Sequence, residues 1–302
     1  MSLPLVIANP HAGPRWRRAR IARSLAEAAA AGRLELIQTQ TLDQGRQTVR
    51  RAANEGRRVV VVGGDGTLQS AVSGFVLAAA DAPPEARLAL VPAGRGNDLA
   101  RSLGIPRGFG PALRLALEGQ TSRRLDAGLA NVDGVQTVFA NALGIGFDAA
   151  VAVRAKRVPL SGFAAYLVAA LATLAGEPGP WPLLASIDGV DQTASFSLLS
   201  LGNGSTTGGG FRLTPDADPT DGRLDFCAAV GARRLELLGL LPLALLGRHR
   251  NHARITLGRC ETVVVEARQG VPVHADGEVL SPDARRIEVS LLAGALSIVT
   301  AE

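Results

Sequence analysis

Through the first 123 positions, short unbroken apolar runs alternate with longer segments whose apolar residues recur at helical spacing. Strands are predicted over 3–8, 34–39, 58–62 and 88–92, and helices over 15–31, 44–55, 67–80, 97–103 and 110–119. A run such as Val59-Val60-Val61-Val62 has no polar alternation, so it suits a strand covered on both faces, as in a parallel sheet between helices. That rhythm predicts a layered α/β domain over 1–123. From Arg123 onward it gives way to strands divided by Gly and Pro, over 124–132, 135–142, 183–187, 192–201, 224–230, 254–257, 262–267 and 287–292. These predict an antiparallel β domain over 124–293 with helical insertions at 147–175 and 233–248. The pattern leaves open whether the last strand, 295–300 within the terminal segment 294–302, stays there or returns to the first domain.

Composition narrows the class. The chain has 302 residues, 47% of them apolar and 20% charged, which is ordinary globular usage and excludes a disordered or fibrous chain. Aromatic residues are only 4%, too few for a stacking platform that grips single-stranded nucleic acid, so no nucleic-acid partner is expected. The net charge is +5, and Lys156 is the only lysine, so arginine supplies nearly all positive charge. Cys227 and Cys260 form no CxxC pair and read as buried, reduced thiols. The first ten residues lack the features of a signal peptide and look like an opening strand, which predicts a cytoplasmic protein. The longest apolar runs, 163–175 and 235–246, fall short of the ~18 residues that a membrane span requires.

Three short polar loops follow strands and open helices. Gly63-Gly64-Asp65-Gly66-Thr67 closes the valine strand, Pro92-Ala93-Gly94-Arg95-Gly96-Asn97-Asp98 closes the strand over 88–92, and Asn9-Pro10-His11-Ala12-Gly13 closes the first. Glycine lets backbone N–H groups approach a phosphate, and a helix N-terminus adds its dipole. Asp65 is out of place in an anion cradle unless it faces a cation or a proton in transit, so it reads as a Mg²⁺-linked or catalytic group. Used for geometry alone, the same turn would serve a βα corner. No Walker A lysine and no protein-kinase motif set is present. Gly144-Ile145-Gly146-Phe147-Asp148-Ala149 fits the dinucleotide fingerprint only loosely and reads as a glycine-rich packing turn. Asp216-Ala217-Asp218-Pro219-Thr220-Asp221-Gly222 is rich in carboxylates and suits either a hard cation or an acidic surface turn. Arg154, Lys156 and Arg157 are a compact basic cluster, read as a grip on phosphate or as a solvated helix end. The four histidines have no metal-ligand spacing and read as structural or exposed.

In order, Asn9-Pro10…Gly13, Gly63-Gly64-Asp65-Gly66-Thr67 and Pro92…Gly94…Asn97-Asp98 resemble the motifs of the diacylglycerol kinase catalytic-domain superfamily. That group covers bacterial lipid kinases and the sphingosine and ceramide kinases, with NAD kinases and phosphofructokinases more distant. The resemblance continues through Asn141…Gly144-Ile145-Gly146-Phe147-Asp148, Gly202-Asn203-Gly204, Asp221-Gly222 and Asp276-Gly277-Glu278, so it spans nearly the whole chain. It implies an NAD kinase-like α/β nucleotide domain, a C-terminal antiparallel β-sandwich, ATP and Mg²⁺ as cofactors, and a lipid hydroxyl as phosphoryl acceptor. By the same resemblance, Asn9, Pro10, Gly13, Thr41, Gly63, Gly64, Asp65, Gly66, Thr67, Gln69, Gly94, Arg95 and Asn97 contact the nucleotide. Asp65, Asp98 and Asp126 match catalytic carboxylates of the Mg²⁺ network, and Glu278 matches the base. Asp221, with main-chain oxygens at Asp218 and Arg223, matches a structural Mg²⁺ site. The chain departs at Arg95, where threonine is usual, and at Gln69-Ser70, where Asn-Glu is usual.

The function implied is an ATP- and Mg²⁺-dependent lipid kinase acting on a diacylglycerol-like or sphingoid lipid. Contact with the inner membrane face would use 235–246 and the flanking Arg233, Arg234, Arg248 and Arg250. The alternatives are a kinase of a soluble acceptor, as in NAD kinases, and a non-catalytic nucleotide- or lipid-binding protein. The oligomeric state is left open, a homodimer included.

Overall fold

The computed structural model describes residues 3–13, 15–78, 82–94, 96–160, 162–176 and 179–301. The chain divides into two compact units, one of Met1–Leu125 with Gly294–Glu302, the other of Asp126–Ala293.

The first unit runs β1 (Leu5–Ala8), α1 (Arg15–Ala30), β2 (Glu35–Gln38), α2 (Leu42–Asn54), β3 (Arg58–Gly63), α3 (Asp65–Ala78), β4 (Arg87–Pro92), α4 (Asp98–Ser102) and α5 (Phe109–Glu118). Its strands lie parallel in the order β4-β3-β1-β2. Val6 stands beside both Leu36 and Val60, and Val60 beside Ala89. The four valines of β3 are at most 1% exposed, as expected for a strand with helices on both faces. Val6, Val60, Val62, Ala89 and Val91 share one core cluster with Leu25, Ala112 and Leu113 from the helices. The C-terminus adds to this unit, with Ile298 parallel to Leu88. Chain direction along the sheet reverses at β1, between β2 on one side and β3 on the other. That reversal is the position at which open parallel sheets bind ligands, beyond the strand C-termini.

The second unit holds β5 (Ser122–Val132) from Asp126 on, β6 (Val135–Phe139), β7 (Ala142–Gly146), α6 (Phe147–Ala155), α7 (Phe163–Ala175), β8 (Trp181–Ile187), β9 (Val190–Gly202), β10 (Leu224–Val230), α8 (Arg234–Leu246), β11 (Ile255–Cys260), β12 (Thr262–Ala275) and β13 (Glu278–Val299) as far as Ala293. Strand β9 pairs antiparallel with β7, β8 and β10, and β12 with β7, β8 and β13. Phe139, Ile145, Phe196, Leu199, Val263, Val265 and Ile287 fill one core of this unit. A second cluster forms where α6, α7 and α8 supply Val151, Ala170 and Leu237 against Leu198 and Ala229 of the strands.

Several predicted boundaries move. The glycine-rich stretch at 144–149 is not a turn: Gly144-Ile145-Gly146 ends the fully buried strand β7, and Phe147 starts a helix. The strand expected over 135–142 stops at Phe139, because the chain there turns into β7. The single helical insertion at 147–175 is two helices, and α3 begins at Asp65 rather than Thr67. The strands read at 262–267 and 287–292 are parts of much longer ones, whose added residues are held by pairing across the β12–β13 hairpin. Positions 79–80 of the helix expected over 67–80 lie outside the described residues. No helix among the described residues is long and apolar enough to cross a membrane.

Candidate functional site

In the first unit the three glycine loops meet at the C-terminal edge of the sheet. Asn9 follows β1, donates its side-chain amide to Thr67 Oγ1 at 3.1 Å, and accepts the His11 N–H at 2.9 Å. That contact crosses from β1 to the start of α3, across the reversal in strand order. Gly64 and Gly94 hold the other two loops in near contact. A Cβ on Gly94 would lie 2.5 Å from the Gly64 Cα, closer than any real side chain approaches, so Gly94 must be bare, while a Cβ on Gly64 would lie a tight 3.3 Å from the Gly94 Cα. Asn97 bridges the second loop, its Oδ1 accepting the Gly94 N–H at 3.1 Å and its Nδ2 donating to the Gly94 carbonyl at 3.0 Å. It does so at φ 54°, in the left-handed region that asparagine tolerates better than most residues.

Asp65 ties these loops together. Its Oδ2 accepts the Asn97 N–H at 2.8 Å and its Oδ1 the Asp98 N–H at 2.9 Å, so one carboxylate holds the entry into α4. Asp98 is buried and accepts from Arg101 Nη1 at 3.0 Å, while Arg101 Nη2 donates to the Gly96 carbonyl. Gly13 closes onto the same loops, its carbonyl accepting from Arg18. A pocket of mixed lining opens beside them, bounded by Asn9, Thr39, Thr41, Thr67 and Ser70 and by apolar Val49 and Val61 among others. Thr41 also caps α2 by accepting the Gln44 N–H, and Ser70 donates to the Leu42 carbonyl. Gln69 stands on α3 and Gly66 in its first turn, while Pro10 lies in the exposed part of the first loop. Arg95 lies outside the described residues.

The remaining expected site residues belong to the second unit. Asp126 is 3% exposed; its Oδ2 accepts the Gly222 N–H at 2.8 Å and its main-chain N–H goes to the Pro219 carbonyl. It therefore moors the acidic loop. Within that loop Asp218 accepts from Thr220, and Asp221 accepts the Arg223 N–H and faces Arg259 Nη1 at 3.6 Å. The Arg223 side chain turns away to Glu261, at 3.1 Å. Asp225 follows with a buried Oδ2 that has no hydrogen-bond donor. Burial pushes its carboxyl up to about 6, opposed by Arg259 and reinforced by Asp221, Asp216 and Asp218. No three His, Cys, Asp or Glu side chains among the described residues stand close enough to share a metal ion.

Glu278 opens β13 just after a two-residue hairpin turn. Asp276 and Gly277 adopt φ of 49° and 82°, the type I′ signature that Asp-Gly favours. The Asp276 carboxylate is buried and accepts three main-chain N–H groups, from Ala140, Asn141 and Ala142, at 2.8 to 3.0 Å. This anchors the hairpin to the β6–β7 junction. Glu278 itself is half exposed and pairs with Lys156 Nζ at 2.7 Å, so Lys156 is engaged and not a bare solvated end. An apolar pocket lies beneath α6, α7 and α8, bounded by Phe147, Val151, Leu198, Leu213, Leu237 and Leu240 among others. His274, at its polar end, is 3% exposed and faces Asp148 at 3.5 Å, a pair that no spacing rule in the sequence revealed.

A parallel α/β unit with phosphate-type loops at a strand-order reversal, joined in one chain to a β-rich unit with an apolar pocket, defines a class of nucleotide-dependent transferases. Family models agree with it. Residues 4–130 match the diacylglycerol kinase catalytic domain, and 141–300 match the YegS C-terminal NAD kinase beta sandwich-like domain. A protein of Mycobacterium tuberculosis named diacylglycerol kinase is 35% identical over 245 residues, covering 80% of this chain and 76% of that one. A Pseudomonas aeruginosa protein named "Probable lipid kinase YegS-like" is 33% identical over 89% of this chain and 85% of its own. Among solved structures, a diacylglycerol kinase from Bacillus anthracis superposes with a TM-score of 0.74 at 21% identity, over 99% of this chain and 97% of that one. Yeast NADH kinase, at 12% identity, gives 0.51 over 99% of this chain and 84% of its own. These two likenesses concern the fold. The chain belongs to the diacylglycerol kinase catalytic-domain superfamily and is a lipid kinase.

Proposed function

We propose that this lipid kinase takes the γ-phosphate of ATP, with Mg²⁺, to the hydroxyl of a diacylglycerol-like or sphingoid lipid whose aliphatic chain enters the apolar pocket of the second unit. The observation that carries the reading is that pocket, walled by leucine, valine and phenylalanine side chains in the same chain as the glycine-loop edge. Phosphoryl transfer asks little covalent work of the protein; it requires charge neutralisation and an aligned acceptor oxygen. The main-chain N–H groups of the loops around Gly64, Gly94 and Asn97 suit the phosphates. Asn9, Thr41 and Thr67 suit the polar part of the nucleoside from the pocket they line.

Asp65 and Asp98, both in the first unit, are carboxylates suited to a catalytic Mg²⁺, and Asp126 is a further candidate in the second unit. When bound, the ion offsets the negative charge of the phosphates. The acidic loop also fits a structural cation, held by Asp221 and by main-chain oxygens at 218 and 223. The donorless Oδ2 of Asp225 and the surplus of carboxylates there support that assignment. The Glu278 carboxylate accepts the proton of the acceptor hydroxyl, and Lys156 holds it in one orientation. The test is transfer of labelled γ-phosphate into a panel of lipids in mixed micelles, comparing the natural chain with Glu278→Ala. Label in a lipid, reduced at least a hundredfold by the substitution, is expected. Label only in a water-soluble acceptor would overturn the lipid reading.

Contact with the membrane surface is assigned to α8. Leu235, Leu238, Pro242, Leu245 and Leu246 form its exposed stripe, while Leu237, Leu240 and Ala244 face the core. Arg233 and Arg234 flank one end and Arg248 the other; Arg250 is paired with Asp216. Exposed leucines between cations suit an anionic lipid surface. Reversing Arg233, Arg234 and Arg248 to Glu is expected to lower co-sedimentation with anionic liposomes at least fivefold, at about 1 kcal/mol for each cation. Unchanged co-sedimentation would remove the membrane role of α8.

A further inference from the structure

The apolar pocket beneath α6, α7 and α8 contains one charged group that the phosphoryl-transfer reading leaves unused. Asp148 lies in the first turn of α6, and both of its carboxylate oxygens are buried with no hydrogen-bond donor. The nearest candidate, His274 Nε2, stands 3.5 Å from Oδ2, beyond hydrogen-bond distance. His274 is held where it is, because its Nδ1 accepts the Gly277 N–H at 3.3 Å in the hairpin turn. That bond assigns the ring proton to Nε2, on the side of Asp148.

The seat of this carboxylate is built into the sheet. Gly144 on β7 pairs directly with His274 on β12, and a Cβ on Gly144 would lie 2.1 Å from Asp148 Oδ2 and 2.4 Å from its Cγ. Only glycine leaves room for the group, although its φ there makes no special demand. The carboxylate also acts on its surroundings. Cys227, another wall of the pocket, has its thiol pushed up to about 12 by burial and by the negative charge of Asp148. The basic side chains among the described residues bounding this pocket are His249 and His274. Burial lowers the pKa of His249, and its Nε2 already meets the Leu213 carbonyl at 3.0 Å. An acceptor buried without a donor is costly, so a ligand that brings a donor to it is favoured over one that brings another acceptor.

We infer that Asp148, facing His274 and seated against Gly144, is a specificity-determining group of the apolar pocket, which accepts a hydrogen bond from a hydroxyl or ammonium group on the aliphatic ligand. The inference rests on the reading of this pocket as the seat of the lipid chain, and it adds a preference. Lipids with a donor beside the chain, such as long-chain amino alcohols or monoacylglycerols, are taken over lipids that present only ester carbonyls there. A site built around a hydrogen bond rejects an analogue that lacks the donor far more strongly than an apolar wall can.

The test is equilibrium binding to the full chain by displacement of a fluorescent fatty-acid probe. A long-chain primary amine, the alcohol, the methyl ester and the quaternary trimethylammonium compound of equal chain length are compared. Amine and alcohol are expected to bind at least tenfold more tightly than the ester, and Asp148→Asn to reduce that ratio to within threefold of unity. The quaternary compound, cationic but without a donor, is expected to follow the ester. No preference in the natural chain would overturn the inference without any variant. An equal preference in a folded Asp148→Asn would do so as well, as would a quaternary compound that binds like the amine. Phosphoryl transfer to lipids without this preference would leave the kinase reading standing and sink the inference alone. The preference without any transfer to lipid would support the site while removing the proposed reaction.

Discussion

Asp276→Ala is expected to destabilise the protein by about 4 kcal/mol, because three buried main-chain N–H groups lose their carboxylate acceptor at once. Each orphaned donor loses its desolvation compensation, and the charged acceptor made each bond stronger than a neutral one. The damage also reaches past stability. Asp276 holds the turn that carries Glu278 and, through Gly277, the Nδ1 of His274, so the hairpin loses its anchor to the β6–β7 junction. Asp276→Asn is expected to lose less, since its amide oxygen still accepts while its NH₂ faces a donor. Urea unfolding of the two variants beside the natural chain measures both. A loss below about 1 kcal/mol in the alanine variant would show that the three N–H groups find other partners.

The largest expected effect on activity is at Asp65. Asp65→Asn keeps the side-chain shape but removes the charge that holds the Asn97 and Asp98 N–H groups and that the proposed reaction uses for Mg²⁺. Lipid phosphorylation is expected to fall at least a thousandfold in kcat/KM, about 4 kcal/mol of transition-state stabilisation. Stability is expected to fall by no more than about 2 kcal/mol, since Asn97 still bridges the Gly94 loop through its own side chain. Labelled phosphate transfer and thermal melting, done on the same preparation, separate the two effects. Unchanged turnover in a pure preparation would remove Asp65 from the reaction.

Much of the glycine-loop edge was legible along the chain. Asn9, Gly64, Asp65, Gly94 and Asn97 lie in short loops, and each loop's chemistry is local: glycine where the backbone crowds, Asp or Asn where N–H groups await an acceptor. The valine run of β3 declared a doubly covered strand for the same local reason. The second unit was less legible. Gly144-Ile145-Gly146 read as a turn because glycine usually marks one, yet its glycine makes room for a carboxylate from the helix that follows. The raised pKa of Asp225 comes from burial and from three neighbours in the adjoining loop, which no local pattern encodes. Lys156 read either as a grip on phosphate or as a solvated helix end, and only the fold brought Glu278, far along the chain, within 2.7 Å of it.

The sequence by itself determined the change from helix-strand alternation to antiparallel strands, the three glycine loops, and the lipid-kinase resemblance carried by their order. These are properties of neighbouring residues, written in periodicities of 2 and 3.6 and in the turn preferences of Gly, Asn and Asp. Only the tertiary structure decided that Asp276 is an anchor for three N–H groups, that Asp148 faces His274 with no hydrogen-bond donor on its carboxylate, and that α8 turns a leucine stripe outward. Burial and pairing between distant positions depend on which surfaces meet, and no local pattern encodes that meeting.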